Sequence, residues 1–241
     1  MYLELKEGAF LVADVHYSVR DEAFLEFLLL VEQKNPPQLI LMGDIFDALF
    51  GGVAKSYEPN KKAIDLINHL CTKMEVIYLE GNHDFGLSDI FRGAKLFGIK
   101  DQPVMFGYEG KKICLAHGDI YNKTLYHIYT NLIRSKAVLS LLAYLDHLLD
   151  HKILKLLDLY LSKKDLCHHM SNFEEILHLR SSKMPECDYF VEGHFHQGRE
   201  LSFGSMSYTN LASFACNQSY YIVRSLKSNA KLLKLETIKA V

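Results

Sequence analysis

Five short apolar runs of this chain each stop at residues whose side chains bind metal ions. One of them, Leu39–Met42, is followed by Gly43-Asp44 and then by Asp47. An apolar run closed by a glycine and two carboxylates is typical of a buried strand that delivers acid groups to its tip. One such ending alone would be typical of an ordinary turn. Because ligands of open α/β sheets bind beyond the carboxyl ends of the strands, five endings favour one common site.

The other four runs have the same form. They lead in chain order into Asp14 and His16, into Asn82, His83 and Asp84, into His117 and Asp119, and into His194 and His196. Carboxylate, amide and imidazole groups together suit Mn, Fe or Zn better than Ca or Mg, because imidazole prefers transition metals. The sequence therefore predicts a metal site that needs no thiolate.

Seven of these residues are candidate metal ligands. They are Asp14, His16, Asp44, Asn82, His117, His194 and His196. That number is too large for one ion, but it divides between two ions if one carboxylate bridges them, and Asp44 is the natural bridge. Two divalent ions ~3.5–4 Å apart can activate a water and hold both oxygens of a phosphoryl displacement. We expect two Mn²⁺ ions, with Fe or Zn as alternatives.

Composition limits the class of protein. The 241 residues are 49% hydrophobic and 23% charged, which suits a single folded domain over residues 1–241. A net charge of −2 argues against a protein that binds nucleic acid through backbone charge. The five cysteines form no CxxC pair, which favours free thiols in a reducing compartment over a disulfide framework. No secretory signal and no spanning run of ~18–20 apolar residues is visible, so we expect a cytoplasmic protein.

The apolar spacing predicts an α/β fold in which strands and helices alternate. We expect strands at 8–13, 39–42, 75–79, 113–116 and 188–191, helices at 21–31, 61–74 and 89–97, and closing β segments at 197–203, 207–210 and 219–224. The turn signal at residues 108–111 predicts a hairpin.

A helical insertion is predicted at about residues 121–184. No strand-like run occurs there, and polar residues recur every three or four positions from His147 to Ser162. The opposite face is wide and apolar, and it carries Leu141, Leu142, Leu145, Leu148, Leu149, Leu156 and Leu159. This is more apolar surface than one helix needs to pack on a sheet. Two interpretations remain open, namely a lid over the site and an ordinary helical layer of the core.

Five sequence blocks, in their order, resemble the calcineurin-like metallophosphoesterase superfamily. The blocks are Asp-x-His, Gly-Asp-x-x-Asp, Gly-Asn-His-Asp, His-Gly-Asp and Gly-His-x-His, between Gly8 and about Asn210. The resemblance implies an αββα sandwich with a helical insertion and an enzyme that hydrolyses phosphoesters with a dimetal-bound hydroxide.

The resemblance also implies a role for each site residue. One ion would lie on Asp14, His16, Asp44 and His196, and a second on Asp44, Asn82, His117 and His194. His83 would contact the phosphate or leaving group, and Asp84 would orient His83. Asp47 would hold a metal ligand in place without binding an ion itself. Asp119 would have the same role or would simply be a turn residue.

Within this superfamily the chain is most similar to the UDP-2,3-diacylglucosamine pyrophosphatases of lipid A synthesis. The shared features are the length, the segment Gly81–Phe85, the helical insert after His-Gly-Asp, and the closing segment Asn210–Phe214. These enzymes release UMP and a lipid phosphate, and their insert shelters acyl chains. The resemblance implies a lipid-linked nucleotide as substrate and contact with the inner face of a membrane. Candidate substrate contacts are Asn122, Arg134, Lys163, Lys164 and Arg180.

One residue departs from the pyrophosphatase pattern. Those enzymes usually carry arginine where this chain has His83, and the generic phosphoesterases carry histidine there. Arginine offers a fixed fork for a diphosphate, whereas histidine can give one proton to a leaving group. Two alternatives therefore stay open. The chain could act on a soluble phosphomonoester, phosphodiester or nucleotide, or it could be a non-catalytic scaffold, which would have no chemical need for seven ligands.

Overall fold

The computed structural model describes residues 2–18, 22–121, 124–229 and 231–238, with the side chains of all of these except 124–127. The strands are β1 (Leu3–Glu4), β2 (Phe10–Val12), β3 (Gln38–Leu41), β4 (Leu49–Phe50), β5 (Glu75–Leu79), β6 (Asp84–Phe85), β7 (Lys95–Phe97), β8 (Val104–Tyr108), β9 (Lys111–Ala116), β10 (Tyr189–Glu192), β11 (Gln197–Phe203), β12 (Met206–Ala212), β13 (Ser219–Val223) and β14 (Leu233–Thr237). The helices are α1 (Glu22–Lys34), α2 (Lys61–Cys71), α3 (Thr124–Ile133), α4 (Lys136–Leu148), α5 (Lys152–Leu161), α6 (Phe173–Ser181) and α7 (Phe214–Asn217).

Two six-stranded sheets carry the fold. The first has the order β14-β13-β2-β3-β5-β7, and its strands β2, β3, β5 and β7 are parallel. The second has the order β1-β8-β9-β10-β12-β11, with β9, β10 and β12 parallel. Strands β8 and β9 form the predicted hairpin. The carboxyl ends of β2, β3 and β5 lie along one edge of the first sheet, and those of β9 and β10 lie along one edge of the second.

The sheets pack face to face and helices cover their outer faces. Along β3, Ile40 points into the core between the sheets, whereas Leu39 and Leu41 point to the layer of α1 and α2. The same alternation holds along β2 and β5, and it explains why these strands are apolar without interruption. On the far side, Phe173 and Leu177 of α6 pack on the second sheet. This arrangement confirms the expected αββα sandwich.

Two expectations about local structure are wrong. Residues 89–97 do not form a helix, because Lys95–Phe97 pairs with the end of β5 as the edge strand β7. Cys167 and Cys216 form a disulfide, although free thiols were expected. Neither the edge pairing nor the disulfide is marked by local spacing in the sequence.

In the described part of the predicted insertion, four helices follow one another, α3 to α6. Helix α6 is an ordinary core layer, since its residues Phe173 and Leu177 are buried on the second sheet. Helices α4 and α5 instead keep large apolar side chains at the surface, among them Leu148 and Leu156 with 60% and 66% of their area exposed. Within the described ranges, every helix is too short or too polar to cross a bilayer.

Candidate metal centre

The five strand ends converge on one buried polar cluster. His196 Nε2 lies 3.3 Å from Asp14 Oδ1, and His117 Nε2 lies 3.4 Å from Asp44 Oδ2. Asn82 Oδ1 is 3.2 Å from the same nitrogen of His117. Three sets of three residues each have their ligand atoms within 4.8 Å of one another. The first set is Asp14, His16 and His196, the second is His16, Asp44 and His83, and the third is Asp44, His117 and His194.

Sharp turns after the strands aim these side chains at the cluster. Five candidate ligands have left-handed backbone, and they are Asp14, His16, Asp44, His194 and His196, with φ between 49° and 65°. Such conformations cost of order 1 kcal/mol or more for residues other than glycine and tend to occur at functional sites. Gly43 adds a close approach, because a Cβ there would lie 2.5 Å from His117 Nδ1. A Cβ on Gly81 would likewise collide with Asp44 Oδ1.

Backbone carbonyls orient three of the imidazoles. His117 Nδ1 lies 3.1 Å from the Met42 carbonyl oxygen, and His196 Nδ1 lies 2.5 Å from that of Leu166. A carbonyl only accepts, so in each pair Nδ1 carries the hydrogen and Nε2 is left to bind an ion. His83 Nδ1 donates in the same way to the Asp47 carbonyl at 2.8 Å.

Asp84 organises backbone rather than the imidazole of His83. Its carboxylate accepts hydrogen bonds from the backbone N–H groups of Asp44 (3.1 Å), Ile45 (2.6 Å) and Gly81 (2.9 Å), and from the Tyr78 hydroxyl (2.6 Å). The expectation that Asp84 orients His83 is therefore corrected, since the Asp47 carbonyl holds that ring. Asp84 instead ties the loop of Asp44 to the loop of Asn82. Burial and the charge of Asp44 raise the pKa of Asp84 to about 7.

The charges of the cluster suit divalent cations. Burial favours neutral His117, but the carboxylate of Asp44 outweighs it and raises the pKa of His117 to about 10, so a proton on Nε2 takes the position beside Asp44 that a bound cation would occupy. Burial and the charge of His117 lower the pKa of His194 to about 4. The ring nitrogens of His16 are buried and make no hydrogen bond within the described residues, although Asp47 Oδ1 lies 3.2 Å from Nδ1. Buried carboxylates beside unsatisfied imidazole nitrogens fit divalent metal ions bound by oxygen and nitrogen.

The proposed substrate contacts differ in position. Lys164 lines a cavity together with Asn82 and His83. Arg134 donates to the Gly81 carbonyl at 2.8 Å and lies over the Phe85 ring.

Two other candidates, Arg180 and Lys163, are not brought to the cluster. Arg180 is buried, forms an ion pair with Glu192 and donates to the Gly118 carbonyl at 2.6 Å, so it supports a loop instead of reaching a substrate. Lys163 is an exposed side chain outside the cavity lining. Asn122 lies outside the described residues.

A cavity of about 380 Å³ runs from the cluster into the helical insertion. Its polar end is formed by Asp47, Asn82, His83 and Lys164. The rest is mostly apolar, with Phe85 from the first half of the chain and Leu139, Leu154 and Leu157 from the insertion among its lining residues. Sequence periodicity indicated an apolar insert, but it could not show which leucines face the site.

Known proteins resemble this chain in part. The UDP-2,3-diacylglucosamine hydrolase of Psychromonas ingrahamii is 28% identical over 113 residues, which are 45% of this chain and 46% of that protein. The protein of the same name from Shewanella pealeana is 30% identical over 115 residues, with the same shares. The chain thus matches about half the length of these curated relatives.

Solved structures resemble the chain over nearly its whole length. An archaeal phosphodiesterase gives a TM-score of 0.48 at 12% identity, covering 95% of this chain and 99% of that one. Yfce, a phosphoesterase from E. coli, gives 0.46 at 15% identity, covering 96% and 99%. Residues 10–198 match the family described as calcineurin-like phosphoesterase. The chain therefore belongs to the calcineurin-like phosphoesterase family of metal-dependent hydrolases.

Proposed function

We propose that this enzyme hydrolyses a lipid-linked pyrophosphate, UDP-2,3-diacylglucosamine, to UMP and 2,3-diacylglucosamine 1-phosphate. The observation that carries the proposal is the continuous cavity with metal-site residues at one end and apolar side chains along the rest. A substrate with a charged diphosphate and acyl chains needs both environments in one site. The curated relatives bear the name of this activity.

In this proposal the seven ligands hold two ions, and we propose Mn²⁺ for both. Asp14, His16, Asp44 and His196 would bind one ion, and Asp44, Asn82, His117 and His194 the other. When bound, such ions lower the pKa of a water and offset the charge of a phosphoryl transition state.

The chain's own residues complete the site. His83 donates its Nδ1 hydrogen to the Asp47 carbonyl oxygen. Nε2 is therefore the atom that would exchange a proton with a substrate oxygen. Lys164 supplies positive charge at the polar end of the cavity. Arg134 has buried Nε and Nη1 groups that make no hydrogen bond within the described part of the chain. We propose that these donors meet phosphate oxygens.

We further propose that the insertion rests on a membrane surface. Leu148, Leu156 and Tyr160 expose 60–70% of their area, and basic residues such as Lys152 and Lys155 lie in the same two-helix segment. Apolar side chains flanked by lysines suit the interface of an anionic lipid bilayer. An acyl substrate would then enter the cavity from the lipid side.

His83 favours a second candidate function. In a site where the similar pyrophosphatases usually carry arginine, histidine suits a single proton transfer better than a bidentate grip on a diphosphate. The second candidate is hydrolysis of a soluble phosphomonoester, phosphodiester or nucleotide by the same ions.

A substrate comparison separates the two candidates. With Mn²⁺ supplied, we expect turnover of UDP-2,3-diacylglucosamine to exceed that of aryl phosphate esters, with UMP as the phosphorus-containing nucleotide product. Leu139→Trp should fill the cavity and lower turnover of the lipid substrate at least ten-fold without changing that of the aryl ester. Leu179→Trp, at an exposed position of α6 outside the proposed membrane surface and the cavity lining, is the matched control. Equal loss with both substrates, or turnover of aryl esters alone, would favour the soluble substrate.

A further inference from the structure

A disulfide joins two segments that support two candidate ligands of one metal ion, Asp14 and His196. Cys167 follows α5, Cys216 lies in α7, and their Cα atoms are 5.6 Å apart although 49 positions separate them in the chain. Both half-cystines are exposed. The remaining cysteines differ, since Cys114 is buried and Cys71 and Cys187 are partly buried.

On one side, the disulfide adjoins the group that orients His196. The carbonyl of Leu166, the residue before Cys167, accepts the hydrogen of His196 Nδ1 at 2.5 Å. The same loop is also bound to Gln197, the residue after His196, because Gln197 Oε1 accepts a hydrogen bond from the backbone N–H of Met170 at 2.9 Å. The loop of Cys167 thus fixes which nitrogen of His196 faces the cluster.

On the other side, the disulfide adjoins the backbone of Asp14. The Asp14 carbonyl accepts from Ser213 Oγ at 2.7 Å and from the Ala215 N–H at 3.2 Å, and these residues lie three positions and one position before Cys216. Asp14 and His196 are themselves only 3.3 Å apart through Oδ1 and Nε2. The covalent bond therefore ties together the supports of two ligands assigned to the same ion.

We propose that the Cys167–Cys216 disulfide is a redox-controlled positioning element that keeps Leu166 against His196 and so sets the affinity of the ion held by Asp14 and His196. This rests on the proposed function, because it takes these residues as ligands of one ion. A dithiol reduces the bond. Its two electrons and two protons convert Cys167 and Cys216 to thiols, while the dithiol becomes a disulfide. The loop then loses its tie to α7, and the Leu166 carbonyl no longer fixes the tautomer and rotation of the imidazole.

Accessibility favours a switch over a purely structural bond. Thiol–disulfide exchange requires a thiolate to reach a sulfur atom, and both sulfur-bearing residues are at the surface. Outer groups that orient a ligating histidine typically change metal affinity 10–100-fold when they are lost.

The test measures binding of Mn²⁺ alone by calorimetry, using the full chain as the oxidised protein and after reduction by dithiothreitol and anaerobic desalting. We expect reduction to weaken one of two Mn²⁺ sites at least ten-fold. Cys216→Ser and Cys167→Ser should show the weaker affinity in both states, whereas Cys71→Ser should respond like the wild type. Nitrogen NMR of the metal-free protein should show His196 mainly as the Nδ1–H tautomer only when the disulfide is present, and circular dichroism checks that each form is folded.

The outcomes separate this inference from the proposed function. Two Mn²⁺ sites with equal affinities in oxidised and reduced protein would overturn the switch and leave the phosphoesterase site intact. Five titratable thiols in the air-oxidised protein would overturn it as well. Failure of the oxidised wild type to bind Mn²⁺ would overturn both the metal site and the switch.

Discussion

The strand-end cluster and the helical insertion differ in which side chains they bury. In the cluster, polar side chains such as Asp14, Asp44 and His117 are almost fully buried and bonded to backbone and to one another. In α4 and α5, large apolar side chains such as Leu148 and Leu156 are mostly exposed. The cluster is thus fixed by the register of two sheets, whereas α4 and α5 leave large apolar side chains exposed within the described part of the chain.

This difference separates chemistry from substrate choice. The parallel strands deliver ligands with a geometry that the backbone enforces, including five left-handed residues. The insertion contributes one wall of the cavity through residues such as Leu139 and Leu157. Changes in the cluster should therefore remove activity toward every substrate, and changes in the insertion should alter which substrate is used.

The largest effect is expected from Asp44→Ala. The side chain of Asp44 lies beside His117 and accepts the backbone N–H of His83 at 2.8 Å, so its loss affects both candidate ion sites and a neighbouring loop. We expect turnover to fall at least about a thousand-fold with all substrates. Bound metal, measured by atomic emission, should fall in parallel. Asp65→Ala, at an exposed helix position, is the matched control, and normal turnover in Asp44→Ala would refute the bridging role.

A second test compares the stability of the two regions. Phe190 is fully buried in the second sheet, where it packs on Tyr208, and Phe190→Ala should cost about 3–4 kcal/mol in the free energy of unfolding. Leu156→Ala, with 66% of the side chain exposed, should change it by less than about 0.5 kcal/mol. Urea titrations measure both values. A large loss in Leu156→Ala would mean that the insertion is part of the core after all.

A smaller effect on the chemistry is expected from His83→Ala. This residue lines the cavity and is held by the Asp47 carbonyl, but it is not among the seven assigned ligands. Turnover should fall about 100-fold through the lost proton transfer, while metal content stays near normal. His147→Ala, on the exposed face of α4, serves as the control. If His83→Ala also releases the ions, His83 is a ligand, which its proximity to His16 and Asp44 would explain.

The sequence predicted what local patterns encode. Strand ends such as Leu39–Met42 followed by Gly43-Asp44 could be predicted from the sequence. A strand that is buried on both faces of its sheet is an uninterrupted apolar run, and this run stops where the polar ligands begin. The family resemblance then supplied the arrangement of the sandwich. The predicted hairpin at 108–111 is also present, since its turn residues are adjacent in the chain.

What escaped prediction depends on distant contacts. Strand β7 forms because Lys95–Phe97 pairs with the free edge of β5, and the composition of this segment does not by itself predict a strand. The Leu166 carbonyl and the Tyr78 hydroxyl support the cluster through atoms whose direction the sequence does not specify. The disulfide joins cysteines 49 positions apart, and odd cysteine number and spacing argued against it.

The smallest effect is expected at the opposite end of strand β5, where a carboxylate contributes stability instead of chemistry. Burial would raise the pKa of Glu75, but hydrogen bonds from Lys6, Lys95 and Gln38 outweigh it and lower the pKa to about 2. A carboxyl whose pKa is lowered by folding stabilises the protein above its unfolded pKa of roughly 4.3, and this contribution disappears as the pH falls toward 2.

Because the site is partly exposed and screened, Glu75→Gln should cost only about 1 kcal/mol in the free energy of unfolding at pH 7. The difference from wild type should shrink between pH 5 and pH 3 in urea titrations, whereas Glu58→Gln, in an exposed pair with Lys55, should show almost none at either pH. A difference that is constant with pH would mean that Glu75 acts through packing, and any loss of turnover would show that the two ends of this strand are not independent.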